Sequence, residues 1–129
     1  MKILFTALWI SFLLQFIIIP QSKIEIRVIS TLPQNQKVFI TGNTPELGNW
    51  NPDKISLDKV NDSTWSKVFE FRESETIEYK FTLGSWEKEA LNEKGNKSGN
   101  NILKISKDTV LVFNITNWGY AQTKISGQI

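Results

Sequence analysis

Two tryptophans stand where a polar ligand would meet them. Trp50 lies in the stretch Gly42 to Pro52, Gly-Asn-Thr-Pro-Glu-Leu-Gly-Asn-Trp-Asn-Pro, which holds two glycines, two prolines and three asparagines in eleven positions. Glycine and asparagine admit positive φ and proline lacks an N–H, so this stretch cannot continue a helix or a central strand. It is a built loop, with Leu47 suited to plug it into a core and Trp50 flanked by Asn49 and Asn51. An indole between side-chain amides is better placed to receive a ligand than to fill an apolar interior, where each amide would need a partner. Trp86 follows the Gly84-Ser85 bend and precedes Glu87. A pyranose is apolar on its C–H faces and polar at its edge. A flat indole covers such a face with little rotamer entropy to lose, while amides and charges beside it grip hydroxyls. Two such tryptophans, brought together by the fold, would track a curved helical glucan.

Composition excludes much of the alternative chemistry. The chain of 129 residues has 15 basic and 13 acidic side chains and a formal charge of +2, so no basic stripe points to nucleic acid. Histidine and cysteine are both absent, which removes the commonest general base, the thiol nucleophile, the zinc knuckle and the disulfide. A glycosidase needs two carboxyl groups held across the scissile bond, one of them with a raised pKa. Glu46, Glu70, Glu78, Glu87 and Glu89 all sit in lysine-rich or loop contexts, and no pair is singled out. The sequence predicts no catalytic residue, no metal and no cofactor.

The elements that must position the tryptophans are strands. Ile24, Ile26 and Val28 alternate with Glu25 and Arg27, a strand with one wet face. Lys37 to Thr41 is a second strand leading into the loop, Ile55 to Val60 alternates weakly, and Asn61-Asp62-Ser63 is a turn. Thr64 to Phe71 places Trp65 with Lys67, Phe69 and Phe71. In Thr76 to Leu83, Ile77, Tyr79, Phe81 and Leu83 share one face, and Glu78, Lys80 and Thr82 share the other, wet one. Lys88 to Asn101 reads as a solvated loop with a turn at Glu93 to Asn96. Ile102 to Ile105 and Thr109 to Ile115 are the last strands, and Trp118 closes the core. Short strands at regular spacing with no amphipathic helix predict an all-β, immunoglobulin-like antiparallel sandwich of seven or eight strands.

Val38 to Pro52, followed by Trp65, by Glu78-Tyr79-Lys80-Phe81 and by Trp86-Glu87, resembles the starch-binding domain family, carbohydrate-binding module family 20, in order and approximate spacing over residues 24 to 118. The resemblance implies that Trp50, Lys80 and Trp86 form the first starch-binding site, the indoles stacking on adjacent glucose rings and the lysine donating to hydroxyls. It places Glu87 and Asn100 as further polar contacts, although this sequence has Asn100-Asn101 where the family often has Asn-Arg. By itself Lys80 is an ordinary strand lysine. In the family the position of Trp65 contributes to a second site with two tyrosines. The matching positions are Gln34 and Val60, so Trp65 is read as structural. The implied partner is an α-glucan polysaccharide, bound by a monomeric accessory module before or after a catalytic domain. The competing reading is an immunoglobulin-like structural or interaction module that binds no carbohydrate.

Residues 1–22 have a lysine at position 2, an apolar run from Ile3 to Ile19 and a polar break at Pro20-Gln21-Ser22, which predicts a secretory signal peptide or, if uncleaved, an anchor. The expected organisation is a leader over 1–22, the binding domain over 23–118 and a linker or further segment over 119–129. A secreted, periplasmic or cell-envelope location follows, with no membrane contact once the leader is removed.

Overall fold

Alternation of Ile24, Ile26 and Val28 with charged residues produces β1 (Gln21–Ile29), whose apolar side is fully buried. The computed structural model describes residues 13–120; the expectations that fall on residues 1–12 and 121–129, much of the leader and most of the tail among them, lie outside those residues. Leu13 to Pro20 has no regular structure and exposes its large apolar side chains. The sandwich starts at Gln21, so the last two residues of the expected leader, Gln21 and Ser22, pair with Arg72 and Phe71.

The strands that follow are β2 (Phe39–Gly42), β3 (Ile55–Ser56), β4 (Asp58–Asn61), β5 (Thr64–Arg72), β6 (Thr76–Thr82), β7 (Ala90–Leu91), β8 (Asn101–Lys104), β9 (Thr109–Asn114) and β10 (Asn117–Trp118). They form two four-stranded sheets, ordered β4-β5-β1-β9 and β3-β2-β6-β8, and a ribbon of β7 with β10. The all-β sandwich expected from the strand spacing is therefore the fold. One ladder departs from an antiparallel arrangement: β1 and β9 run parallel, from Ile24 beside Thr109 to Ile29 beside Asn114.

The core lies between the sheets. Ile24, Ile26 and Val28 of β1 and Trp65, Phe69 and Phe71 of β5 face Ile40 of β2 and Ile77, Tyr79 and Phe81 of β6. Tyr79, Phe81 and Phe113 meet edge-on or tilted at 4.9–6.0 Å between ring centroids, a geometry that aromatic quadrupoles favour. Burial pushes the Tyr79 phenol up to about 12, so it stays neutral. Trp118 closes one end, its Nε1–H donating to Ser30 Oγ at 3.0 Å in a buried bond.

Three local expectations need correction. The single weak strand from Ile55 to Val60 is two strands in different sheets, because Leu57 turns into the core and donates its N–H to Val38 O at 2.8 Å, carrying the chain across. The stretch from Lys88 to Asn101 is not simply a solvated loop, since it contains β7 and starts β8. It also folds back over β6, with Glu89 bridged to Thr82 and Ser98 reached by Lys80. That return covers the side of β6 read as wet, so Thr82 is fully buried and Lys80 is only part-exposed, while Leu83 is half-buried. The Asn61 turn forms as expected, its Oδ1 accepting Ser63 N–H at 3.0 Å.

Candidate functional site

Gly42 ends β2 where the loop must press against β6. A Cβ there would strike the Glu78 carbonyl and lie 2.7 Å from Leu47 Cδ1, so only glycine allows the approach. Thr44 then caps a 3-10 helix, Pro45–Trp50: its hydroxyl accepts Leu47 N–H at 3.3 Å and its carbonyl accepts Asn49 N–H at 3.0 Å. Pro45 occupies the first turn, where its missing N–H costs nothing. Leu47 is fully buried and fixes the loop to the core, contributing about 2 kcal/mol. Gly48, Asn49 and Trp50 follow in left-handed conformation, with φ of 76°, 48° and 64°. The last two are strained at roughly 1–2 kcal/mol each. That succession reverses the chain and leaves the Trp50 indole half-buried at the surface.

The second tryptophan sits on a tighter device. At the end of β6, Leu83 N–H donates to Lys88 O at 3.0 Å and Lys88 N–H to Ser85 O at 3.0 Å, closing a turn whose single-turn 3-10 helix is Trp86–Lys88. Trp86 remains 40% exposed. The structure brings the two indoles together: their ring centroids are 6.4 Å apart and their planes are inclined by 38°. Between the two loops lies the Thr82 hydroxyl, which donates to Pro52 O at 2.6 Å and accepts Gly84 N–H at 3.0 Å.

Lys80 belongs to a part-buried cluster that the sequence did not reveal. Its Nζ donates to Glu89 Oε2 at 2.8 Å and to Ser98 O at 2.7 Å, and Lys97 Nζ lies 3.3 Å from Glu89 Oε1. Burial pushes the Glu89 carboxyl up, but hydrogen bonds from Lys80 and Lys97 outweigh it and hold the group below the ordinary carboxylate value. The only sequence signal for Glu89 was its position three residues after Trp86, which gives no hint of burial. Two of the three Lys80 donors are thus engaged within the chain. Glu87 is exposed beside Trp86. Asn100 is exposed at the end of the 92–100 segment, whereas Asn101, the first residue of β8, spends its amide on Tyr79 O at 3.3 Å.

Trp65 lies elsewhere. It is 5% exposed on the inner face of β5, and its Nε1 has no hydrogen-bond partner among the described residues. An open hollow of about 640 Å³ adjoins it, lined by Asn35, Lys37, Asp58 and Lys59 among others. Val60 stands exposed nearby on β4.

A family model described as a starch binding domain matches residues 21–112. An amylopullulanase from Thermoanaerobacter thermohydrosulfuricus is 38% identical over 63 residues, 49% of this chain and 4% of the relative, so the chain spans a small fraction of that enzyme's length. Among solved structures, the family 20 carbohydrate-binding module of a maltotetraose-forming amylase from Pseudomonas saccharophila superposes with a TM-score of 0.53 at 18% identity, over 71% of this chain and 98% of the other. A glycoside hydrolase family 15 glucoamylase from Hypocrea jecorina gives a TM-score of 0.55 at 19% identity, over 80% of this chain and 18% of that one. These two likenesses concern the fold. The match that runs from β1 into β9 means that the chain belongs to the starch-binding domain family, a family of non-catalytic binding modules.

Proposed function

We propose that this module holds α-1,4-linked glucan, such as starch or glycogen-like chains, on Trp50 and Trp86, as an accessory part of a larger carbohydrate-active protein. The observation that supports it most is the indole pair, 6.4 Å apart and inclined by 38°, half-buried or exposed at the surface. Glucose rings resting one on each indole share that inclination, which suits a chain that curves. Lys80 donates to a hydroxyl, and Glu87 and Asn100, both exposed, meet others. Cleavage is not part of this reading: a glycosidase acid needs a raised pKa, whereas the buried Glu89 carboxyl is held low by two lysines. The relatives named above are amylolytic enzymes, which favours a role beside such chemistry. Affinity falls in the range of about micromolar to millimolar and responds little to salt, because the ligand is neutral. Export by the N-terminal apolar segment places the monomeric module outside the cytoplasm, where polymeric glucan is met.

The test is depletion of the chain from solution by insoluble starch, with cellulose as control. Trp50→Ala and Trp86→Ala, shown to be folded by circular dichroism, should lose retention on starch. If the folded wild type stays in the supernatant over both polymers, the binding reading fails and an immunoglobulin-like spacer is the better description.

A further inference from the structure

Thr82 ends β6, which leads into the Trp86 loop and pairs with β2, the strand that leads into the Trp50 loop. It is fully buried, and its hydroxyl makes two hydrogen bonds, one to each loop. Oγ1–H donates to the carbonyl of Pro52, two residues beyond Trp50, at 2.6 Å. The same oxygen accepts the N–H of Gly84, two residues before Trp86, at 3.0 Å. The backbone of Thr82 is fixed independently, opposite Phe39 of β2 and in a bridge to Glu89. A rigid strand thus clamps the end of one aromatic loop and the beginning of the other through a single oxygen atom.

We propose that Thr82 is the positioning residue that sets the angle between Trp50 and Trp86, and with it the preference of the pair for curved α-1,4-glucan over straight β-1,4-glucan. This deepens the binding reading above and rests on it. Successive rings of an α-1,4-glucan turn in one sense, so two rings stacked on the indoles must be inclined to one another. Those of a β-1,4-glucan lie along a flat ribbon and fit coplanar aromatics. The inclination of 38° is therefore the selective element, and it persists only while the two loops keep their relation. Without the hydroxyl, Pro52 O and Gly84 N–H lose their shared partner and the loops move separately.

The experiment has two readouts on the full chain. Two indoles this close couple their ultraviolet transitions, giving a paired positive and negative band in circular dichroism whose size follows their mutual angle. Its assignment is made with Trp86→Phe, which must abolish it. Thr82→Val, which keeps the shape and removes the hydroxyl, is expected to shrink the paired band and to weaken binding of a cyclic α-1,4-glucan about five- to tenfold, the effect of one lost buried hydrogen bond. Thr82→Ser is expected to restore both. Should Thr82→Val not fold, Thr82→Cys replaces it, with a thiol that is only a weak donor. A folded Thr82→Val chain with an unchanged paired band overturns the proposal, because Thr82 is then only a core residue. A shrunken band with an unaltered ratio of cyclic α-glucan to cellohexaose binding overturns its specificity half. A wild type that binds no glucan sinks the binding reading instead, and the paired band still decides whether Thr82 sets the angle.

Discussion

Trp50 and Trp65 are the same residue put to opposite uses by the backbone that carries them. Trp65 stands on β5 in register with Phe69 and Phe71, and strand parity sends all three into the core. Trp50 follows two left-handed residues and is left-handed itself, so no parity applies to it, and its ring lies beside Trp86 at the surface. A hollow of about 640 Å³ lies next to Trp65, yet only 5% of that residue is exposed. Exposure of the aromatic, more than the size of the nearby space, separates the two residues.

The difference can be broken most sharply by truncation. Trp65→Ala should cost about 3–5 kcal/mol of stability, read as a shift in the urea midpoint, because it empties a buried aromatic site. Trp86→Ala should behave inversely, with a stability change under about 1 kcal/mol and a loss of glucan affinity of at least about 2 kcal/mol, the size of a binding hot spot. Trp50→Gly refines the contrast. It removes stacking but suits the positive φ at that position, so stability should stay within about 1 kcal/mol of wild type while retention on starch is lost.

A smaller effect is expected at Glu89. Its native pKa is lowered, so its contribution to stability is complete above the unfolded-state value near 4.5 and declines as pH falls through the lower native value. Thermal unfolding followed from pH 6 downward should show that decline, and Glu89→Gln should flatten it and weaken glucan binding roughly threefold to tenfold by releasing Lys80 and the segment at Ser98. The least change is expected from Gln34→Tyr with Val60→Tyr. Although these restore the aromatics that the family places around Trp65, titration calorimetry should give an unchanged stoichiometry, since Trp65 itself is only 5% exposed.

How far the sequence could be read depended on the range of the signal. Period-two alternation exposed β1, β5 and β6, because each has one dry side that local chemistry marks. The Gly42 to Pro52 loop was visible for the same reason: its glycines and prolines declare a special backbone without any knowledge of partners. The placement of Thr82, Lys80 and Glu89 was not visible. It depends on the 89–98 segment returning across β6, and that return is set by a two-residue strand, β7, whose partner β10 is 26 residues away at Leu91 and Asn117. Two residues are too few to show a period. The crossing at Leu57 was missed likewise, since one inward leucine between two short strands looks like continued alternation.

The parallel pairing of β1 with β9 has a mechanical consequence. The first strand of the sandwich and the last strand of its main sheets lie side by side and point the same way through six register positions, from Ile24 with Thr109 to Ile29 with Asn114. Tension between the two ends of the chain therefore acts along these strands and loads the hydrogen bonds between them in shear, all at once, where an antiparallel hairpin would open them one after another. Forced unfolding is governed by the barrier along the pulled direction more than by equilibrium stability. A chain drawn taut through this sheet has its strongest direction where the pull falls.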